Sequence, residues 1–226
     1  MSNGGDLLVT YAIGDIHGCL AKMNRLLDRI ANEAAGKPTR LIFLGDYIDR
    51  GPDSRGVIER LMTLQRERPN EVICLRGNHE AMALAAVASP RDNEEYWRAN
   101  GGATTMTSFG VFHARELPPN VVAWMDALLY AYDDGLRHFV HAGVDPSKPL
   151  AEQNDHDRIW MREPFLSSKT SFERLIVHGH TPLMTAKPDV RANRVNLDTG
   201  AVFGGPLTAA AFVADKREPI GFLTAV

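Results

Sequence analysis

The chain has 226 residues, of which 44% are hydrophobic and 23% are charged, a composition typical of globular proteins that bury a full core. Disordered, collagen-like and coiled-coil proteins are excluded on this ground. Twenty-five Lys and Arg residues against 28 Asp and Glu residues give a net charge of -3, so the chain lacks the general basic field that holds nucleic acid or anionic membranes.

The sequence shows no sign of membrane attachment or secretion. No apolar run approaches the ~18 residues that a membrane span needs, and no basic region followed by an apolar stretch opens the chain. We therefore expect a cytoplasmic protein. Its two cysteines, Cys19 and Cys74, are too few for a disulfide framework. We expect both to be reduced and mostly buried, and the sequence leaves open whether either is redox-sensitive.

The first part of the chain alternates strand and helix patterns. Apolar, β-prone runs predict three strands, at 7–13, 40–44 and 72–75. Apolar residues at helical spacing predict helices between them, at 23–34 and 54–68. Such units of about thirty residues are typical of parallel strands joined by helical crossovers. The loops after these strands then lie at one edge of the sheet, where open α/β sheets bind ligands.

The second part predicts a helical region and further strands. The region of about 80–135 is mainly helical, at 81–88 and 120–129, with a Gly/Thr-rich break at 101–107. We expect it to form a cap over the site, within a single domain that spans 1–226. Five later runs are strand-like and predict a second sheet: 138–141, 175–177, 194–197, 207–213 and 220–226.

Polar motifs follow five of the predicted strands, in the loops that we expect at one edge of the structure. The three predicted parallel strands are followed by GDIHG (14–18), GDYIDRG (45–51) and GNHE (77–80), and later strands by HAG (141–143) and HGHT (178–181). Each motif alone is a weak signal. Five of them at one edge predict a shared site.

The residue types in these motifs favour a catalytic metal centre. Carboxylates, an amide oxygen and imidazoles suit Mn²⁺, Fe or Zn²⁺, and the lack of cysteine ligands argues against a closed structural zinc site. The set is too large for one ion with open positions but fits two ions about 3.5–4 Å apart, which could hold a bridging hydroxide and phosphoryl oxygens. The candidate ligands are Asp15, His17, Asp46, Asn78, His141 and His180.

The order of these motifs resembles the metallophosphoesterase superfamily and, within it, the phosphoprotein phosphatase family of serine/threonine phosphatases. The resemblance spans 14–181 and continues in a tail, NLDTGAVFGG (196–205). The short spacing, and GAVFGG in place of the eukaryotic SAPNYC signature, resemble the compact bacterial and lambda-phage enzymes. The resemblance implies an α/β fold, a four-layer α/β/β/α sandwich of two mixed sheets flanked by helices, with two divalent ions, most often Mn²⁺.

The resemblance also implies a ligand arrangement around these two ions. Asp15 and His17 would hold the first ion, and Asp46 would bridge both. The second ion would be held by Asn78, His141 and His180. His178 stands two residues before the family's ligand, and we expect it to be a strand-end residue with its own hydrogen bond.

Further residues match the family's acid and its phosphate-binding groups. His79 would protonate the leaving oxygen, and Asp49 would hydrogen-bond His79 and favour its protonated form. Arg50 and Arg76 would bind phosphate oxygens, because a guanidinium offers a planar fork of donors. The remaining candidates for phosphate contact are Asn78 and, more weakly, Arg162.

Residues near the motifs also have simpler explanations. Either arginine could instead form a local ion pair, Arg50 with Asp49 and Arg76 with Glu80. We expect Glu80 to orient a neighbour rather than bind a metal. The tryptophans are too irregularly spaced for a nucleic-acid platform, so we expect them in core or cap packing.

The leading functional hypothesis is a metal-dependent serine/threonine protein phosphatase that uses direct attack of a metal-bridging hydroxide on phosphorylated proteins or peptides. The alternative is symmetrical dinucleoside tetraphosphate (Ap4A) hydrolysis, since such enzymes share these motifs. That activity needs a base pocket, for which Trp160 and Phe165 are the candidate aromatic residues. A scaffold without catalysis is disfavoured by the complete set of ligands, and a nucleic-acid phosphodiesterase by the negative charge. The sequence leaves the oligomeric state open and is compatible with a monomer.

Overall fold

The first sheet carries the predicted parallel strands at its centre and one edge. In a computed structural model that describes residues 8–226, β1 (Val9–Ile13), β2 (Thr39–Phe43) and β3 (Val72–Cys74) are parallel neighbours. β9 (Leu207–Val213) pairs antiparallel with β1, and β10 (Gly221–Ala225) pairs antiparallel with β9. The order of the sheet is β10-β9-β1-β2-β3. Of the predicted strand 7–13, residue 7 lies outside the described residues.

The second sheet is built from shorter strands. Its order is β4-β5-β6-β8-β7, with the three central strands parallel and both edge strands antiparallel. The strands are β4 (Ala131–Asp133), β5 (Arg137–Val140), β6 (Leu175–His178), β7 (Asp189–Val190) and β8 (Arg194–Asn196).

The placement of the last two predicted strands in the second sheet is wrong. The runs 207–213 and 220–226 belong to the first sheet, beside β1. The physical reason lies in β9, which is buried on both faces: Ala209 and Ala211 pack toward the helices, while Ala210 and Phe212 pack toward the second sheet. Such a strand needs a neighbour on each side, and β9 has β1 on one side and β10 on the other.

The two sheets pack face to face, and helices cover the outside. α1 (Leu20–Ala34) and α2 (Ser54–Glu67) place their apolar stripes on the outer face of the first sheet. On the inner face, Phe139 and Phe212 meet edge to face across the sheets, with ring centroids 6.0 Å apart. Helices therefore cover the outer face of the first sheet, and the second sheet covers its inner face.

The second sheet is covered on its outer face by a thinner layer. This layer contains α7 (Asp155–Trp160) and a following loop that buries Phe165 and Phe172 against β5 and β6. The resulting order is helix, sheet, sheet, helix, which confirms the predicted four-layer α/β/β/α fold. No helix in the range 8–226 is both long and apolar enough to span a membrane.

The predicted helical region of about 80–135 is mainly helical, and β4 begins near its end at Ala131. Its elements are α3 (Asn78–Ala88), α4 (Pro90–Trp97), a kinked segment (Arg98–Gly102), α5 (Ala103–Phe109) and α6 (Pro119–Asp126). The predicted break at 101–107 shrinks to the kink at Gly101, whose φ of 109° lies in the left-handed region that favours glycine. The carbonyl of Gly101 accepts the Arg50 N–H at 3.2 Å, so this region lies on the loop after β2.

Candidate active site

The candidate site lies where the carboxyl ends of strands from both sheets meet. It is marked by unusual backbone conformations: of the seven non-glycine residues with positive φ among those described, five are candidate site residues. Such conformations cost about 1–3 kcal/mol each and persist where surrounding contacts hold them. The five residues are His17, Asp46, Asp49, Arg50 and His180.

Asp46 lies at the centre of the cluster. One of its carboxylate oxygens is 3.4 Å from His141 Nε2, and the other is 3.5 Å from His17 Nε2. It belongs to both groups of side chains that could hold an ion: His17, Asp46 and His79, and Asp46, His141 and His180. Burial alone would raise the pKa of Asp46, but the imidazoles of His141 and His79 hold it well below its usual value.

In the second group, two imidazole nitrogens lie close to the side-chain oxygen of Asn78. His141 Nδ1 donates to the Leu44 carbonyl at 2.9 Å, which leaves Nε2 to face Asn78 Oδ1 at 3.0 Å. His180 Nδ1 lies 2.9 Å from the same oxygen. Burial would lower the pKa of His141, but the carboxylates of Asp46 and Asp15 raise it to about 9. The cluster therefore attracts a positive charge, either a proton or a metal ion.

The other two candidate histidine ligands, His17 and His180, have lowered pKa values that favour neutral imidazoles. His17 Nδ1 donates to the Ile48 carbonyl at 2.8 Å, and burial lowers the pKa of His17 to about 3. Burial and the neighbouring His141 lower the pKa of His180 to about 2. The buried His180 Nε2 finds no hydrogen-bond partner in the described part of the chain. A neutral histidine with an unused nitrogen next to a carboxylate, as at His180, fits a divalent cation.

Asp15 lies just outside the two tight groups but contacts the cluster. Its carboxylate accepts the backbone N–H of His180 at 3.1 and 3.2 Å. Burial and the charge of Asp198 raise the pKa of Asp15 well above its usual value. Asp198 itself is buried and accepts the Gly200 N–H at 3.1 Å, and burial and Asp46 raise its pKa to about 6.

Asp198 is a further candidate site residue, which the motifs alone did not indicate. The sequence signal that could have indicated Asp198 is its position in NLDTG (196–200), at the start of the tail that matches the family. A second carboxylate beside Asp15 adds negative charge to a buried site, which strengthens its demand for cations.

His79 and Asp49 form the predicted pair. His79 Nδ1–H donates to Asp49 Oδ2 at 2.6 Å, and His79 Nε2 lies 3.9 Å from Asp46 Oδ2. Burial raises the pKa of Asp49 above its usual value, against the opposing hydrogen bond from His79. The His79 imidazole thus lies between the buried carboxylate of Asp49 and that of Asp46.

The candidate phosphate-binding arginines differ in their contacts. Arg50 is exposed, its Nη1 lies 2.7 Å from His17 Nε2, and its guanidinium lies 5.6 Å from the centroid of the Phe203 ring. Arg162 is also exposed, and its charge contributes, after burial and His141, to the low pKa of His180. Both cations therefore lie at the open side of the cluster.

Arg76 has contacts that disagree with the predicted phosphate-binding role. Its side chain is buried and donates to Tyr130 Oη at 2.8 Å, to Asp126 Oδ1 at 3.2 Å and to the Asp126 carbonyl. The alternative ion pair with Glu80 is not formed either, because Glu80 accepts backbone N–H groups. The guanidinium ties the GNHE loop to the end of α6.

The sequence as a whole matches one family. Residues 8–207 match the model of the calcineurin-like phosphoesterases. The chain belongs to this family. It is 32% identical over 210 residues to serine/threonine-protein phosphatase 1 of Salmonella typhimurium, covering 88% of this chain and 90% of the relative.

Other relatives of this phosphoesterase carry different activities in their names. It is 29% identical over 226 residues to the asymmetrical bis(5'-nucleosyl)-tetraphosphatase PrpE of Anoxybacillus flavithermus, covering 88% and 89% of the two chains. A crystal structure described as a candidate diadenosine tetraphosphatase has a TM-score of 0.72 at 22% identity, covering 100% of this chain and 96% of the other. A serine/threonine phosphatase structure from Saccharomyces cerevisiae has a TM-score of 0.66 at 18% identity, covering 99% and 81%.

Membership of the family gives the site its general chemistry. Calcineurin-like phosphoesterases are hydrolases that use divalent metal ions, and the donors around Asp46 in this chain fit such ions. The substrates named for the relatives are phosphoproteins in one case and dinucleotides in the other. The family therefore leaves the substrate of this phosphoesterase to be inferred from its own surface.

Glu80 orients the loop that carries Asp46. Its fully buried carboxylate accepts the backbone N–H groups of Asp46 at 2.9 Å, Tyr47 at 2.8 Å and Gly77 at 2.9 Å. One side chain thereby fixes the GDYIDRG and GNHE loops relative to each other, which is the orienting role expected for it.

His178 and the two candidate base-binding aromatics differ in exposure. His178 is buried at the end of β6 between Phe165 and Arg194, and burial lowers its pKa to about 3. Phe165 is fully buried and unavailable to a ligand. Trp160 is half-buried, and its ring centroid lies 6.2 Å from that of His180, so it borders the site.

Proposed function

We propose that this phosphoesterase is a serine/threonine protein phosphatase that works with two divalent ions, Mn²⁺ in the first place and Fe or Zn²⁺ as alternatives. The observation that carries the proposal is the buried pair of His79 and Asp49 beside Asp46, because a positioned proton donor serves the poor leaving group of a serine or threonine ester. The similarity to the Salmonella phosphatase over nearly the whole length of both chains supports it.

The ligand assignment follows from the two groups that share Asp46. Asp15 and His17 would hold one ion, and Asp46 would bridge to the other. The second ion would be held by Asn78, His141 and His180. When bound, the pair supplies an activated hydroxide and neutralises the charge of the phosphoryl group.

The remaining steps belong to side chains of the chain itself. Arg50 would bind two phosphate oxygens, since its guanidinium is exposed and held beside His17 and Phe203. Arg162 would add a second positive charge at the open side. His79 Nε2 would give its proton to the leaving oxygen as the P–O bond breaks, while Asp49 keeps the ring in place.

A second candidate, dinucleoside tetraphosphate hydrolysis, is favoured by one surface feature. Phe203, whose ring contacts the Arg50 guanidinium, is 65% exposed, and Met184 is 98% exposed. Both line a mostly apolar cavity of about 560 Å³, a volume in the range of small-molecule sites. An aromatic ring beside a phosphate-binding arginine could stack a nucleobase.

Turnover of two substrates by the Mn²⁺-loaded protein would test the proposal. The steady-state kcat/KM for a phosphothreonine peptide would be compared with that for diadenosine tetraphosphate, with a metal-free control. We expect a clear preference for the peptide and no activity without metal. A preference for the dinucleotide that is lost in Phe203→Ala would instead establish the second candidate and leave the fold and ligand assignment unchanged.

A further inference from the structure

The Asp49 carboxylate is held by the helical region of about 80–135 as well as by its own loop. We propose that Trp97 and Thr105 are positioning residues of the proton donor: they fix Asp49, and Asp49 fixes the ring of His79. The proposal rests on the proposed function, since it concerns the group that protonates the leaving oxygen.

Three side-chain donors converge on the carboxylate of Asp49. Trp97 Nε1–H donates to Oδ2 at 2.8 Å, next to the hydrogen bond from His79 Nδ1 at 2.6 Å. Thr105 Oγ1 donates to Oδ1 at 2.6 Å. All four side chains are at most 1% exposed, so water does not compete for these bonds. The carboxylate therefore has one orientation, and that orientation sets the plane of His79.

Thr105 also supports the backbone of Asp49. The Asp49 N–H lies 2.8 Å from Thr105 Oγ1 and 3.0 Å from Ser54 Oγ, and both hydroxyls can accept it. Asp49 has a φ of 74°, a left-handed conformation that costs a non-glycine residue about 1–3 kcal/mol and needs such support. A single threonine thus holds both the main chain and the side chain of Asp49.

The kinked segment 98–102 brings these donors into place. A Cβ on Gly102 would lie 2.5 Å from the Trp97 ring, so only glycine lets the indole lie flat against the backbone there. The neighbouring Gly101 carbonyl accepts the Arg50 N–H at 3.2 Å. The segment therefore contacts Arg50, and the residues on either side of it, Trp97 and Thr105, contact Asp49.

Loss of these hydrogen bonds should affect only leaving groups that need a proton. A serine or threonine alkoxide leaves poorly unless His79 Nε2 protonates it, whereas p-nitrophenolate leaves without help. A misplaced Asp49 should therefore slow the hydrolysis of phosphothreonine and spare p-nitrophenyl phosphate. A general packing defect would slow both reactions.

The test uses matched substitutions in the Mn²⁺-loaded protein. Trp97→Phe and Thr105→Val remove the two donors and keep most of the volume. Trp124→Phe, which loses an indole hydrogen bond to Gln65, and the exposed Thr107→Val, which loses one to the Ala103 carbonyl, are controls, because neither side chain donates to Asp49. We expect kcat for a phosphothreonine peptide to fall about 10–100-fold in the first two variants, with p-nitrophenyl phosphate within about twofold of wild type.

Two further measurements separate positioning from folding. Thr105→Ser keeps the hydroxyl and should restore most of the peptide activity, and exchange of the His79 Nδ1 proton with solvent, followed by NMR in the metal-free protein, should accelerate in Thr105→Val. Equal losses on both substrates, unchanged kcat for the peptide, or no rescue by serine would overturn the inference. If Trp97→Phe does not fold, the Thr105 pair carries the test. A wild-type protein inactive on phosphothreonine would contradict the proposed function instead.

Discussion

The candidate metal ligands His17 and His141 are oriented by backbone carbonyls. Each donates Nδ1–H to a main-chain oxygen, of Ile48 or Leu44, so each presents Nε2 to the Asp46 carboxylate. A carbonyl partner of this kind fixes both the tautomer and the ring plane of a metal-binding histidine. The loops that supply these carbonyls are therefore as much a part of the site as the imidazoles.

Replacement of His79 tests its role as the proton donor. His79→Asn removes the imidazole next to Asp46 and should lower kcat for a phosphothreonine peptide by about 10²–10⁴-fold, because proton transfer to the leaving alkoxide is lost. Turnover of p-nitrophenyl phosphate should fall much less. Steady-state kinetics on both esters checks this, and an equal loss on both would show that His79 does not donate the proton.

The two arginines should respond differently to truncation. Arg50→Ala removes an exposed guanidinium beside His17, so kcat/KM for any phosphomonoester should fall about 10–100-fold, the value of a charged hydrogen bond or two. Arg76→Ala breaks buried hydrogen bonds to Asp126 and Tyr130 and should lower the free energy of unfolding by about 1–3 kcal/mol. Urea unfolding and steady-state kinetics of both variants distinguish these effects; a stable but inactive Arg76→Ala would restore its phosphate-binding role.

At the residue scale, the candidate ligands and the His79–Asp49 pair could be predicted from the sequence, because their residue types and their order along the chain indicate the chemistry. The contacts of Arg76 could not, since they depend on where α6 ends, some fifty positions along the chain. Thr105 was missed for the same reason, because an isolated threonine carries no sign of its partner until the fold brings Asp49 beside it. Asp198 lies in the NLDTG tail, but its position there does not show that the fold brings Asp15 beside it.

At the scale of elements, periodicity predicted α1, α2 and the three parallel strands closely. It placed β9 and β10 in the wrong sheet, because an apolar run shows that a strand is buried but not which strand it pairs with. β4 and β7 were missed, since runs of three and two residues are too short for a pattern. α5 was missed because its threonines favour a break more than a helix.

The loops after β1 and β6, strands of different sheets, come into close contact at Gly179 and Asp15. A substitution at Gly179 tests whether this close approach is needed for metal binding. A Cβ on Gly179 would lie 2.0 Å from Asp15 Oδ1, so Gly179→Ala should displace that carboxylate and weaken Mn²⁺ binding at least about tenfold. Gly221→Ala is the matched control, because its Cβ would meet no atom within 4 Å. Calorimetric titration of both variants with Mn²⁺ measures the affinity. Equal affinities would mean that Asp15 is not a ligand.

At the scale of the whole molecule, the site joins the two sheets. Asp15 and Asp46 follow strands of the first sheet, and His141 and His180 follow strands of the second. The carboxylates and imidazoles share a buried space in which their charges are felt strongly. Occupation of this space by a cation should therefore stabilise the association of the sheets as well as enable catalysis.

The stability of the metal-free protein should depend on pH in a way set by this cluster. The folded-state pKa of His141 is raised from 6.5 to about 9, so its contribution to stability is complete below about pH 6.5 and is lost as the pH rises through about 9. The pKa of Asp198 is raised from 3.8 to about 6, so its contribution to stability is complete below about pH 3.8 and is lost as the pH rises through about 6. Asp46 has a lowered pKa, and its contribution is constant above its usual value.

In EDTA, the melting temperature should therefore fall between about pH 6 and pH 9, by about 4–8 °C for a loss of about 2 kcal/mol in a chain of this size. Saturating Mn²⁺ should oppose the fall, because protons compete with the ion for the same ligands and metal binding strengthens as they leave. His141→Gln should flatten the profile in EDTA, whereas His156→Gln, at an exposed position, should not. A profile that is flat in the wild type, or unchanged in His141→Gln, would show that the cluster does not hold the proton that a metal ion would replace.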